Sequence, residues 1–178
     1  MERFGLDFGT TNTSLTWARG EGLPALCAID PPAPDPRVLR TLLYFSLEQR
    51  GFVVGQRAID EYLAEDMQGT LIQSIKTFLA DESFEETWIH DRAWTLEDLL
   101  AVVFRHVRSV IAAGGTLDDV TLVVGRPAVF VERPEKERLA QERLRRAAGR
   151  AGFGHLEFQY EPIATGLARC PFNGPSWR

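Results

Sequence analysis

The feature that most constrains this chain is the alternation of helix and strand signals in its second half. From residue 95 onward, apolar residues recur at Leu96, Leu99, Leu100, Val103, Val107, Val110 and Ile111, the spacing of one buried helix face. Thr95 and Asp98 supply a capping-box start, and Gly114-Gly115 stops the pattern. The β-branched run 120–124 then predicts a strand ending at Gly125-Arg126-Pro127. A second helix is expected over 134–150, where Ala140, Leu144, Ala147, Ala148 and Ala151 form a narrow apolar stripe. On it Arg138, Arg143, Arg145 and Arg146 alternate with Glu137 and Glu142, which reads as a solvated face. A last strand over 156–160 runs into Glu161-Pro162, with proline in the first turn of a final helix over 163–169. Strands alternating with helices in this way imply a parallel or mixed sheet with helices on its faces.

The first thirty residues read as a β-meander: a strand ending in Phe4, Leu6 and Phe8, a turn at 9–12, a strand over 14–17, a turn at 20–22 and a strand over 24–29. The segment 30–36 holds four prolines, which exclude a helix interior and mark a seam. Beyond it, strands are expected over 40–45 and 51–54, and a helix over 56–67 with Ile59, Tyr62, Leu63 and Met67 at helical spacing. The expected fold class is therefore α/β: a mixed five-stranded sheet with flanking helices, formed by 1–30 and 95–169. Residues 31–94 form an inserted α/β subdomain, and 170–178 an atypical tail.

Composition excludes several function classes. A chain of 178 residues with 44% hydrophobic and 25% charged side chains is an ordinary globular one, neither disordered nor fibrous. It contains no apolar run of the roughly 18–20 residues a spanning helix needs, and a cytoplasmic address is the default expectation. A net charge of −5 argues against nucleic-acid or membrane partners held by bulk electrostatics. Cys27 and Cys170 are expected as reduced thiols, and His90, His106 and His155 lack metal-ligand spacing. Trp88 and Trp94, flanking His90-Asp91-Arg92, are expected to cover an apolar patch.

Chemistry concentrates in Leu6-Asp7-Phe8-Gly9-Thr10-Thr11-Asn12-Thr13. A carboxylate at a strand end followed by a glycine and two threonines suits a strand–turn–strand phosphate loop. Gly9 lets backbone approach a phosphoryl oxygen, N–H groups and hydroxyls donate to it, and Asp7 can hold a hydrated magnesium ion. The same residues also suit a plain hairpin turn. A Walker-type loop is excluded, since no G-x-x-x-x-G-K-[ST] occurs and no helix follows.

The stretch Phe4 to Thr13 resembles the first phosphate loop of the actin-like ATPase superfamily, which includes the DnaK-type seventy-kilodalton heat-shock chaperones, actin and its bacterial relatives, and sugar kinases. Gln73-Ser74-Ile75-Lys76-Thr77-Phe78-Leu79 resembles the chaperone segment with the catalytic lysine. Val123-Val124-Gly125-Arg126-Pro127-Ala128-Val129-Phe130 is similar to its V-P-A-x-F strand end, and Phe158 to Leu167 to its N-E-P-x-A-A-A-x-G segment. The wording is closest to the YegD-like branch, and the resemblance runs from residue 2 to about 169. It implies a ribonuclease H-like first ATPase lobe binding ATP or ADP with magnesium. By position, Asp7 would organise metal-bound water, while Thr10 and Thr11, with Gly9 and Asn12, would contact the β- and γ-phosphates. Lys76 would reach the γ-phosphate and the attacking water, Glu161 would position water or the metal's hydration shell, and Pro127 would belong to the nucleotide switch. Structural alternatives are a solvent-exposed lysine, a helix-start acid and a strand terminator, respectively.

The family's second phosphate loop, D-x-G-G-G-T-x-D, would follow Arg169, where this sequence reads Cys170-Pro171-Phe172-Asn173-Gly174-Pro175-Ser176-Trp177-Arg178. The expectation is a truncated chaperone-like protein, as from a shifted frame, whose nucleotide binding is weak or conditional on a second lobe and whose hydrolysis is very slow. Self-association or a complementing second-lobe chain is expected, and client peptides find no support in the sequence. A non-enzymatic folded remnant or interaction module is the first alternative. Half of a sugar kinase or actin-like filament protein is the second, disfavoured by the insertion carrying Lys76.

Overall fold

The computed structural model describes residues 2–18, 23–114, 120–126 and 134–160. Pro127, Glu161, the expected helix over 163–169 and Cys170 lie outside them. In chain order the strands are β1 (Glu2–Phe8), β2 (Asn12–Ala18), β3 (Ala25–Leu26), β4 (Leu39–Arg40), β5 (Leu42–Phe45) and β6 (Phe52–Val54). Helix α1 (Gln56–Ala64) is followed by β7 (Thr70–Gln73), a 3-10 turn (Ile75–Phe78), β8 (Glu86–Ile89), β9 (Arg92–Thr95) and α2 (Leu96–Ala113). Then come β10 (Val120–Arg126), α3 (Pro134–Arg150) and β11 (His155–Tyr160).

The fold is mixed α/β. Its main sheet runs β11-β10-β1-β2-β3, with the short β4 also paired to β2. β1 is parallel to β10 and β10 to β11, whereas β2 runs antiparallel to β1, β3 and β4. Alternation along β1 sends Phe4, Leu6 and Phe8 into the core beneath α2, where Phe8 meets Phe104 with ring centroids 5.7 Å apart. Burying each such side chain contributes about 1.5–3 kcal/mol, so this face anchors the molecule. α3 is the crossover that parallel neighbours β10 and β11 require. Arg150 at its end donates to Thr95 Oγ1 (2.8 Å) and Asp98 Oδ1 (2.9 Å) at the start of α2.

The insertion is not a separate globule. Its Leu43, Phe45, Val54, Ile75, Leu79, Ile89 and Trp94 belong to the same apolar cluster as β1, α2, β10 and α3. The proline segment closes on itself, with Asp30 N donating to Pro36 O (2.9 Å). Asp30 is buried, and its Oδ2 accepts from Gln56 N (2.8 Å) at the start of α1, an N-terminal cap supplied from 26 residues away. Gly55, at φ 68°, precedes that helix, and a Cβ there would strike the Asp30 carboxylate.

Several elements depart from the sequence expectation. The strand expected over 40–45 breaks at Thr41, so that β4 joins the main sheet and β5 the three-stranded sheet β6-β5-β7. The third strand keeps only Ala25–Leu26, because Ile29 turns inward and its carbonyl meets His106 Nε2 at 2.7 Å. α1 stops at Ala64, since Asp66 and Met67 take positive φ. Leu63 and Met67 are exposed, and the residue it buries is Ala58. The hairpin β8–β9 places its tryptophans on opposite faces. Trp94 (7% exposed) packs edge-on against Phe45 at 4.9 Å, while Trp88 is 68% exposed and donates from Nε1 to Glu86 Oε1 (3.1 Å). Arg143 is not on a solvated face but buried, for a reason that bears on the site.

Candidate phosphate site

The turn between β1 and β2 is closed by Gly9 N donating to Asn12 O (3.0 Å). A Cβ on Gly9 would collide with that same carbonyl, so the turn requires glycine at this position. The turn is then strapped from the side. Thr41 N donates to Thr11 O (2.8 Å), the buried Thr13 and Thr41 hydroxyls share a 2.8 Å hydrogen bond, and Asn12 lies opposite Arg40 in the β2–β4 register.

That strap continues directly into β5, whose Leu42 pairs with Gln73 of β7. The segment 40–42 thus draws together two stretches more than sixty residues apart in sequence. A cavity of about 160 Å³ opens between them, lined by Thr10, Thr11, Arg40 and Thr41 on one side and Gln73 and Ser74 on the other, with Leu42 and Ile59 completing it. Among these described lining residues the polar groups are hydroxyls, one amide and one guanidinium, with no carboxylate. Such a set favours an anion.

Ser74 stands in the left-handed region at φ 57°, ψ 29°, and its hydroxyl does not cap the 3-10 turn it precedes. A non-glycine residue held there costs on the order of 1 kcal/mol or more, which the surrounding packing must impose. Against the same segment, further along, lies Arg143. From α3 its guanidinium donates to the carbonyls of Phe78 (2.8 Å), Asp81 (2.8 Å), Phe84 (3.0 Å) and Leu79 (3.2 Å), tying the segment after Lys76 to the core.

Lys76 itself is half-buried in the 3-10 turn and lines neither this cavity nor the one beside Asp7. Asp7 faces the other side of the sheet from Leu6 and Phe8. There it lines a separate cavity of about 410 Å³ with Arg3, Gly5, Thr16, Val123 and Gly125. The structure therefore brings Thr10 and Thr11 together with the segment leading to Lys76, and sets Asp7 in a different cavity. Gly9 and Asn12 build the turn; Pro127 and Glu161 lie outside the described residues. Among the described residues no three His, Cys, Asp or Glu side chains gather as metal ligands.

Sequence reasoning missed Arg40, Ser74 and Arg143. Arg40 and Ser74 carry no periodic signal, since their importance comes from the β4–β2 and β5–β7 pairings. Arg143 sits in a run of charged residues where only tertiary contact distinguishes it. Cys27 is a free, half-buried thiol, pushed up by desolvation. No helix among the described residues is long and apolar enough to cross a membrane. No protein-family model matches the chain.

Proposed function

We propose that this chain is a nucleotide-binding lobe of the ribonuclease H-like, actin-like ATPase type, nearest the DnaK-type chaperones. It holds the phosphates of ATP or ADP with magnesium in the turn 9–12. The observation that carries the reading is the shared cavity: Thr10 and Thr11 line it together with Gln73 and Ser74, two residues before Lys76. Strand order supports it too. Counted along the chain, the five principal strands lie in the order 3-2-1-4-5, with the second alone antiparallel to the rest.

In this reading Thr10 and Thr11 donate to phosphoryl oxygens and Asp7 orients metal-bound water. Lys76 is carried on a segment whose position is fixed by Arg143. Hydrolysis needs a second set of phosphate and metal contacts and exclusion of water by closure, which a second lobe or partner chain would provide. Neither client-peptide binding nor its coupling to nucleotide is part of the proposal.

Isothermal titration with ATP and magnesium tests it. Saturable binding is expected in the wild type, weakened at least tenfold by Thr11→Ala and by Asp7→Ala, with unchanged far-ultraviolet circular dichroism. An absence of heat at millimolar nucleotide would sink the reading and leave a non-enzymatic module.

A further inference from the structure

Resting on the phosphate-binding reading above, we infer that Arg40 is the cation that clamps the outermost phosphate of a polyphosphate ligand between the Thr10-Thr11 turn and Ser74. Nothing in the resemblance assigns Arg40 a role. The inference comes from the cavity alone: Arg40 is the one ionisable side chain among its described lining residues, and it has no acidic partner among the described residues. Arg3, Arg37, Arg57, Arg146 and Arg150 each pair with a carboxylate, and Arg105 and Arg145 lie over the Phe52 and Phe158 rings. An arginine with no carboxylate beside it, over a small cavity walled by hydroxyls, keeps its full attraction for an anion.

The backbone around Arg40 is already fixed, which limits what ordering a ligand must impose. Arg40 lies between Leu39, paired with Thr13, and Thr41, whose N–H holds Thr11 O. The guanidinium therefore starts from the same strap that shapes the phosphate turn. Its planar fork matches two phosphoryl oxygens, while the Thr10, Thr11 and Ser74 hydroxyls can donate to the remaining ones. A clamp at the outer end of the chain of phosphates makes affinity depend on their number. The site should rank triphosphate above diphosphate and monophosphate, and the ranking should need Arg40.

The experiment titrates wild-type, Arg40→Gln, Arg40→Lys and Thr11→Ala chains with ATP, ADP, AMP and sodium tripolyphosphate, each with magnesium, by calorimetry. Arg40→Gln is expected to weaken ATP and tripolyphosphate on the order of tenfold and AMP hardly at all, flattening the ranking. Arg40→Lys should fall between, because it keeps the charge and loses the fork. The Arg40 side chain is exposed, so thermal melts of both variants should match the wild type. If Thr11→Ala abolishes ATP binding while Arg40→Gln leaves all affinities unchanged, the clamp is overturned and the nucleotide reading stands. Arg40-dependent tripolyphosphate binding with no affinity for ATP supports the clamp and overturns the nucleotide reading. No binding of either by the wild type overturns both.

Discussion

Arg143 shows how one side chain can fix a stretch of irregular chain from a neighbouring helix. Its guanidinium is 7% exposed and satisfied by four backbone carbonyls between Phe78 and Phe84, a stretch with little regular structure of its own. A hydrogen bond from a charged donor contributes about 1.5–3 kcal/mol net of its exchange with water, the four here are not additive, and carbonyls left unpaired are costly. Arg143→Met, which keeps the volume, should therefore destabilise the fold by about 2–4 kcal/mol in chemical denaturation. It should also accelerate amide exchange over 75–84 more than over α2. A loss below about 0.5 kcal/mol, with exchange unchanged, would show that the segment is held by other contacts. From sequence the same arginine is indistinguishable from Arg145 and Arg146, because a helix presents all three in one charged run and only the fold buries one.

At the scale of elements, legibility follows how local each cause is. α2 was readable because its start is encoded within four residues. Asp98 N donates to Thr95 Oγ1 (3.3 Å) and Thr95 N to Asp98 Oδ2 (3.2 Å), a reciprocal cap worth about 1 kcal/mol. Burial alone would raise the Asp98 carboxyl, but the Thr95 hydrogen bonds and the Arg150 and Arg92 charges outweigh it and hold it below the usual range. Three strands, β7, β8 and β9, were not readable. The β8–β9 turn is His90-Asp91, with His90 at φ 53°, and lacks the Asn-Gly or Asp-Gly signature that marks a tight hairpin. The end of α1 departs from the periodicity because Leu63 and Met67 keep helical spacing while the backbone has already turned.

The same α1 end creates a pH-sensitive contact. Tyr44, buried on β5, shares its hydroxyl proton between Glu65 Oε2 (2.7 Å) and Gln68 O (2.8 Å), and Ser46 Oγ donates to Glu65 Oε1 (2.7 Å). Desolvation, reinforced by the Glu65 hydrogen bond and charge, pushes the Tyr44 phenol up to about 12. The folded state therefore keeps this proton when the unfolded chain, near pH 10, loses it. Its contribution is complete below about pH 10 and disappears as pH rises to about 12. Wild-type stability should fall more steeply than that of Tyr44→Phe between those two pH values in urea titrations. Parallel slopes would place the alkaline sensitivity elsewhere.

For the whole molecule, the central consequence of the topology is that one short segment joins two sheets and brings residues 10–11 to one cavity with residues 73–74. β4 belongs to the main sheet and β5 to the three-stranded sheet, with Thr41 between them. Strand alternation made the main sheet legible, but the convergence of 10–11 with 73–74 depends on long-range pairing that no local pattern encodes. Of the residues singled out by the resemblance, Thr10 and Thr11 share the cavity, Asp7 lines a separate one, and Lys76 follows Ser74 by two positions. The claim that these form one phosphate cradle is tested most directly by following backbone amide resonances during titration with ATP and magnesium. Thr10, Thr11, Thr41 and Ser74 should shift together along a single saturation curve, with β8–β9 unmoved. Shifts confined to the 410 Å³ cavity around Gly5 and Gly125, or none at millimolar nucleotide, would contradict it.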